Sequence, residues 1–273
     1  MSRRPIGIFD SGEGGLTVMR EIARLCPGED LLYACDTARF PYGPRPREEV
    51  RRFFLCFVRF FAEQGCKLVV VACNTATAAT LDLLGEGKLP VPAVGVVEPG
   101  ARAAAAASAT GRIGVVATEG TCASGVYPEL IRKFRPDAVV VQQPCPILVT
   151  RAEEGVISGP AVRAEVERCL EPLLAAGIDT LVLGCTHFPH MRAVIADVAG
   201  PNVTLVDPGV ATAQEVAARL AAAGQVADGG QGKRTFFTTG DPARFSAVAS
   251  RLWPGGVTQA QRIQLDPPPA EPG

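Results

Sequence analysis

Two short stretches join a thiol to small polar groups directly after an apolar run. Cys73-Asn74-Thr75 follows VVVA, and Cys185-Thr186-His187 follows LVLG. A thiolate is both base and nucleophile, and a helix N-terminus favours it by lowering the thiol pKa. One such cysteine reads by default as a small buried hydrophobe. Two in matching settings point instead to paired acid–base chemistry. The chain has two histidines. His187, two residues from Cys185, is the better acid–base candidate, and His190 reads as structural. Glu153 and Glu154 precede Gly155 in TRAEEG. They read either as a charged helix end or as a carboxylate tuning a thiol. The lysines are Lys67, Lys88, Lys133 and Lys233, and none follows an apolar run in a site-like setting. A Schiff base with pyridoxal phosphate is therefore disfavoured.

A third stretch, DSGEGG at 10–15, lies between the apolar run IGIF and a helical pattern over 16–25. Glycines let backbone N–H groups approach an anion, and a helix N-terminus favours negative charge. The stretch is not GxGxxG and no GK[ST] follows, so a small carboxylate or phosphate fits better than a nucleotide. A tight turn alone explains the glycines but not Asp10-Ser11. In the turn PYG at 41–43, Tyr42 either packs in the core or faces a ligand.

These residues need elements to hold them. Short apolar runs predict strands over 6–9, 31–35, 68–72, 93–97, 113–117, 138–141, 180–183, 204–206 and 235–238. Unbroken apolar strands suit a parallel sheet covered on both faces. Helices alternate with them, over 16–25, 48–64, 102–107 and 211–222. The second carries Val50, Phe53, Phe54, Phe57, Phe60 and Phe61 at helical spacing, a core stripe first and a subunit interface second. The alternation predicts a doubly wound α/β fold. The tail DPPPAEPG after Leu265 is expected to be disordered.

The pattern also repeats. IGIF at 6–9 echoes IGVV at 113–116, VEPGA at 97–101 echoes VDPGV at 206–210, and Cys73 echoes Cys185. Three pairs in one order at nearly constant offset predict two similar α/β halves, each with a cysteine at a strand end. Open α/β sheets bind ligands outside the carboxyl ends of their strands. Halves that face each other would thus aim both thiols into one cleft.

Composition removes other classes. The 273 residues are 47% hydrophobic and 20% charged, with a formal net charge of −1. That is a globular chain without the basic excess of non-specific nucleic-acid binders. No apolar run reaches the length of a membrane span, and Asp10 interrupts the N-terminal run too early for a signal peptide. Nine cysteines without a CxxC argue against a zinc cage or a disulfide framework. A reducing cytoplasm fits better.

Together GIFDSGEGG, DTARFPYG, ACNTATA, VEPG, IGVVATEGT, GCTHFP and VDPG resemble the cofactor-independent aspartate/glutamate racemase family, its glutamate racemases in particular. The resemblance runs from Ile6 to about Leu220. It implies two flavodoxin-like domains, 1–97 plus 207–273 and 98–206, with the active site between them. It implies that Cys73 and Cys185 are the two bases, the first taking the proton from D-glutamate and the second from L-glutamate. Asp10 is similar to the acid beside the first thiol; Glu153 and His187 resemble the groups beside the second. Asp10, Ser11, Tyr42, Gly43, Asn74, Thr75, Thr186 and His187 resemble the substrate-binding positions. The implied enzyme is a cytoplasmic isomerase with no cofactor and no metal, supplying D-glutamate for peptidoglycan. Its partner is L- or D-glutamate, not nucleic acid or membrane, with a homodimer left open. Three departures stand out: Glu13 where the family often has an apolar residue, and Thr77 and Phe188 for the commoner Ser and Tyr. Arg39 is the only lysine or arginine within these motifs, so neutral donors are expected to hold the substrate carboxylates.

Three rivals share features of this reading. An aspartate or hydantoin racemase has the same two thiols, although the aspartate enzymes typically carry an acidic residue at the position of His187. A Cys–His hydrolase would use Cys185 and His187 and leave Cys73 without a role. An amino-acid-binding module would need no thiol.

Overall fold

The computed structural model describes residues 3–85, 87–227 and 229–265; the expected disordered tail lies outside them. In chain order the strands are β1 (Ile6–Asp10), β2 (Leu31–Cys35), β3 (Leu68–Val71), β4 (Ala93–Gly95), β5 (Arg112–Ala117), β6 (Val139–Pro144), β7 (Thr180–Gly184), β8 (Thr204–Val206), β9 (Arg234–Thr238) and β10 (Gln261–Arg262). The helices are α1 (Leu16–Leu25), α2 (Arg47–Glu63), α3 (Asn74–Thr80), α4 (Val97–Ala107), α5 (Glu119–Ala123), α6 (Val126–Phe134), α7 (Pro146–Glu153), α8 (Pro160–Ala175), α9 (Arg192–Ala199), α10 (Pro208–Ala222) and α11 (Pro242–Leu252).

The strands form two parallel sheets, β10-β9-β2-β1-β3-β4 and β6-β5-β7-β8. The chain completes four strands of the first, builds all of the second, and returns to add β9 and β10. The orders β2-β1-β3-β4 and β6-β5-β7-β8 correspond strand for strand. The sequence echoes fall on corresponding places: Ile6–Phe9 on β1 and Ile113–Val116 on β5, Cys73 after β3 and Cys185 after β7. The central strands β1, β3 and β7 are buried along their whole length, as a parallel sheet covered on both faces requires.

Predicted and observed elements differ at their ends. The strand expected over 93–97 stops at Gly95, and Val97 already opens α4. Pro99 reads as a helix breaker, but it sits in the first turn, where its missing N–H would have no intrahelical acceptor anyway. Strand β10 has only two exposed residues, too few for any pattern. Among the described residues no helix is long and apolar enough to cross a membrane.

The aromatic stripe of α2 is core. Phe53, Phe54, Phe57, Phe60 and Phe61 are all buried. The Phe57 ring lies 4.5 Å from that of Phe9 on β1, which runs directly into the site. Truncating such a side chain costs the lost transfer energy plus that of the cavity left behind. Phe57→Ala should lose about 3–5 kcal/mol of unfolding free energy, measured by urea denaturation.

Candidate active site

The carboxyl ends of both sheets open on a single cavity of about 440 Å³. Its walls include Ser11 after β1, Cys73, Asn74 and Thr75 after β3, Thr118 and Glu119 after β5, and Cys185, Thr186 and His187 after β7. Tyr42, Gly43 and Glu153 also line it. The structure thus brings together every candidate but Asp10 on one surface. Asp10, the last residue of β1, is completely buried and lies outside that lining.

Hydrogen bonds between the two halves hold the cavity's shape. The Thr75 hydroxyl meets those of Thr118 at 2.9 Å and Thr121 at 3.3 Å. Gly120 N–H donates to the Gly43 carbonyl (3.0 Å). Thr17 donates to the Thr186 carbonyl (3.3 Å), and the Thr186 hydroxyl to Asp10 (3.5 Å). Gly14 is demanded by this contact: a Cβ there would stand 2.6 Å from Thr186 Oγ1 and 2.9 Å from the His187 ring. The Tyr127 hydroxyl donates to Asn74 Oδ1 (2.7 Å), which leaves the Asn74 amide as a donor. Tyr42 is tied through its hydroxyl to Asp36.

The two thiols have different surroundings. Cys73 caps α3: its Sγ accepts from Ala76 N–H at 3.4 Å and lies 3.5 Å from Ser11 Oγ. Burial and then the Asp10 charge push its pKa up to about 12. Once ionised, this thiolate is a stronger base than an ordinary one. Cys185 Sγ lies 3.6 Å from His187 Nδ1, and His187 Nε2 lies 2.5 Å from Glu153 Oε1. Burial alone would push His187 down, but its hydrogen bonds to Cys185 and Glu153 carry it well above the usual range. Burial likewise opposes ionisation of Glu153, yet the His187 bond and charge hold its carboxyl below the ordinary value. Both shifts favour an imidazolium–carboxylate pair. Glu154 instead pairs with Arg151 at 3.1 Å.

One expectation needs correction. Arg39 is not the cation of this site. It pairs with Asp36 at 3.1 Å and lies over the Phe53 ring at 4.4 Å, outside the cavity lining. The lining arginine is Arg244 on α11, which sequence reading passed over. Nothing local to Asp241-Pro242-Ala243-Arg244 marks it, because only the chain's return to the first sheet carries α11 there. Phe40, Thr118, Val149 and Thr150 were also missed.

The Asp/Glu/hydantoin racemase family profile matches residues 6–216. A glutamate racemase of Symbiobacterium thermophilum is 68% identical over 97% of this chain and 96% of its own. The chain belongs to this family, in its glutamate racemase branch. Solved racemases share the whole architecture. A glutamate racemase isoform from Bacillus anthracis superposes with a TM-score of 0.93 at 40% identity, over 97% of this chain and 99% of that one. The Francisella tularensis glutamate racemase, solved with D-glutamate, superposes with a TM-score of 0.89 at 30% identity, over 97% and 99%.

The buried carboxylate of this racemase should show in its stability. Burial lifts Asp10 from 3.8 to about 6, although the His187 charge and N–H donors from Gly15 and Gly12 oppose it. Between those pH values the folded state holds a proton that the unfolded state has lost. Its contribution is complete below about 3.8 and is lost as pH rises through about 6. The stability difference between wild type and Asp10→Asn should therefore shift against wild type by roughly 2–3 kcal/mol from pH 4 to pH 7. Urea titrations of both proteins across that range measure it.

Proposed function

We propose that this amino-acid racemase interconverts L- and D-glutamate with Cys73 and Cys185 as opposed bases. The supporting observation is that two thiols from corresponding strand ends line one cavity, each with its own acid or base partner. One thiolate takes the Cα proton, so the C–H bond breaks and an S–H bond forms. The electron pair passes into the α-carboxylate. The other thiol then returns a proton to the opposite face, and the two cysteines have exchanged protonation states. Asp10 strengthens Cys73 as a base, and the His187–Glu153 pair stabilises the Cys185 thiolate. Ser11, Asn74, Thr75, Thr186 and the Gly43 backbone are the neutral donors for the carboxylates, with Tyr42 fixing the loop that carries Gly43. Fixed dipoles in a water-poor cavity stabilise developing charge without reorganising.

In this reading residues 1–97 plus 207–273 form one domain and 98–206 the other. The reaction takes place in the cytoplasm, and D-glutamate goes to peptidoglycan. The Cys185–His187–Glu153 row is also what a Cys–His hydrolase would use. That alternative gives no role to Cys73, Ser11 or Asp10.

β-Chloroglutamate separates the two. Abstraction of its α-proton expels chloride, so the acid on the far face is not needed. Cys73→Ser and Cys185→Ser should each slow racemisation by roughly 100- to 10,000-fold, with loss of α-deuterium incorporation in D₂O. Cys73→Ser should still eliminate chloride from the L-enantiomer and Cys185→Ser from the D-enantiomer. Elimination from the same enantiomer by both would sink the two-faced mechanism.

Substrate length follows from the same donors. Aspartate cannot satisfy both carboxylate sites at once, and one lost polar contact costs about 1–3 kcal/mol. Its kcat/KM should fall roughly 10- to 100-fold below that of glutamate. A coupled assay with each amino acid gives the ratio.

A further inference from the structure

Glu13 stands in the glycine loop, between Gly12 and Gly14. It is 3% exposed and does not line the cavity. A Cβ on the neighbouring Gly14 would stand 2.9 Å from His187 Nδ1, and the Glu153 charge acts on the Glu13 carboxyl. The loop itself is pressed against the same group, since a Cβ on Gly12 would stand 3.3 Å from Glu153 Oε1. From there the row continues through Glu153 Oε1 to His187 Nε2 at 2.5 Å and from His187 Nδ1 to Cys185 Sγ at 3.6 Å.

We propose that Glu13 is a positioning residue for the Cys185 half of the reaction, its protonated carboxyl donating to Glu153 and so holding the Glu153–His187 pair against Cys185. Two carboxyl groups in contact in a buried site cannot both ionise. Glu153 faces His187 and keeps the negative charge, so the proton resides on Glu13. Burial and the Glu153 charge push the Glu13 carboxyl well above the ordinary range. The bond it donates stabilises Glu153 as carboxylate, which keeps His187 an imidazolium ready to stabilise the Cys185 thiolate. The hydrogen-bond partners of Cys73, Ser11 and Ala76 N–H, lie outside this row.

The inference rests on the two-thiol reading, and the test keeps the two apart. Chloride release from the L- and D-forms of β-chloroglutamate is followed in wild type, Glu13→Val and Glu13→Gln. Valine removes the donor, whereas glutamine keeps an N–H donor and cannot ionise. In Glu13→Val, kcat for the L-enantiomer should fall roughly 5- to 20-fold with KM unchanged, while the D-enantiomer is processed as in wild type. Glu13→Gln should restore the L-enantiomer rate. The untouched D-enantiomer reaction shows that the variant is folded. If Glu13→Val does not fold, Glu13→Met, of similar length and without a donor, supplies the same comparison. Equal losses on both enantiomers, no loss on either, or failure of Glu13→Gln to restore the rate would overturn the role of Glu13. If wild type released chloride from only one enantiomer, the two-thiol reading itself would fail.

Discussion

Both thiols stand just beyond the carboxyl end of a parallel strand, Cys73 two residues after β3 and Cys185 one after β7, and the rest of the architecture serves that constraint. A stereocentre can be inverted without turning the substrate only if proton acceptor and donor approach from opposite faces. Two sheets of the same strand order, with their carboxyl ends on one cavity, bring a thiol from each half to that cavity. Parallel strands need crossover helices, which cover both faces of each sheet and leave the strand ends as the open positions. The Phe-rich face of α2 is therefore connected to the chemistry: it packs on β1, which ends at Asp10.

The repeat makes the two halves similar, but their proton chemistry differs. Cys73 caps a short helix beside a hydroxyl and a buried carboxylate, which make it a strong base that is costly to ionise. Cys185 sits beside an imidazolium held by a carboxylate. In the proposed mechanism the two thiols alternate as acid and base, so each half would solve the same task with different groups. Burial is the common cause. It raises Asp10 and Glu13, and it makes the His187–Glu153 interaction far stronger than it would be in water.

Hydrogen bonds between the halves keep the two thiols on one cavity. The threonine hydroxyls at 75, 118 and 121 and the Gly120–Gly43 backbone bond join elements that are far apart in sequence. Gly14 has no side chain because Thr186 and His187 occupy that space. The glycine loop thus does more than turn the chain: it seats one half against the acid–base row of the other.

The strands, the repeat and the paired thiols were legible in the sequence because each depends on residues close together along the chain. Apolar runs report strands, and a Cys followed by small polar residues reports a strand end. Matching offsets report two halves. Ser11, Asn74, Thr75, Thr186 and His187 were readable for the same reason, since each adjoins a strand whose end had to face the site. The helical start at Val97 was not, because Pro99 reads as a break until its place in the first turn is known. Arg244 was hidden because only the chain's path carries α11 to the cavity. Glu13 stood out in sequence only as an odd residue. Its meaning came from Glu153, which lies 140 residues further along the chain. Residue type and spacing determined the chemistry available to this protein. Tertiary structure alone decided which buried groups share a proton, because that depends on distances and desolvation between segments the chain does not join directly.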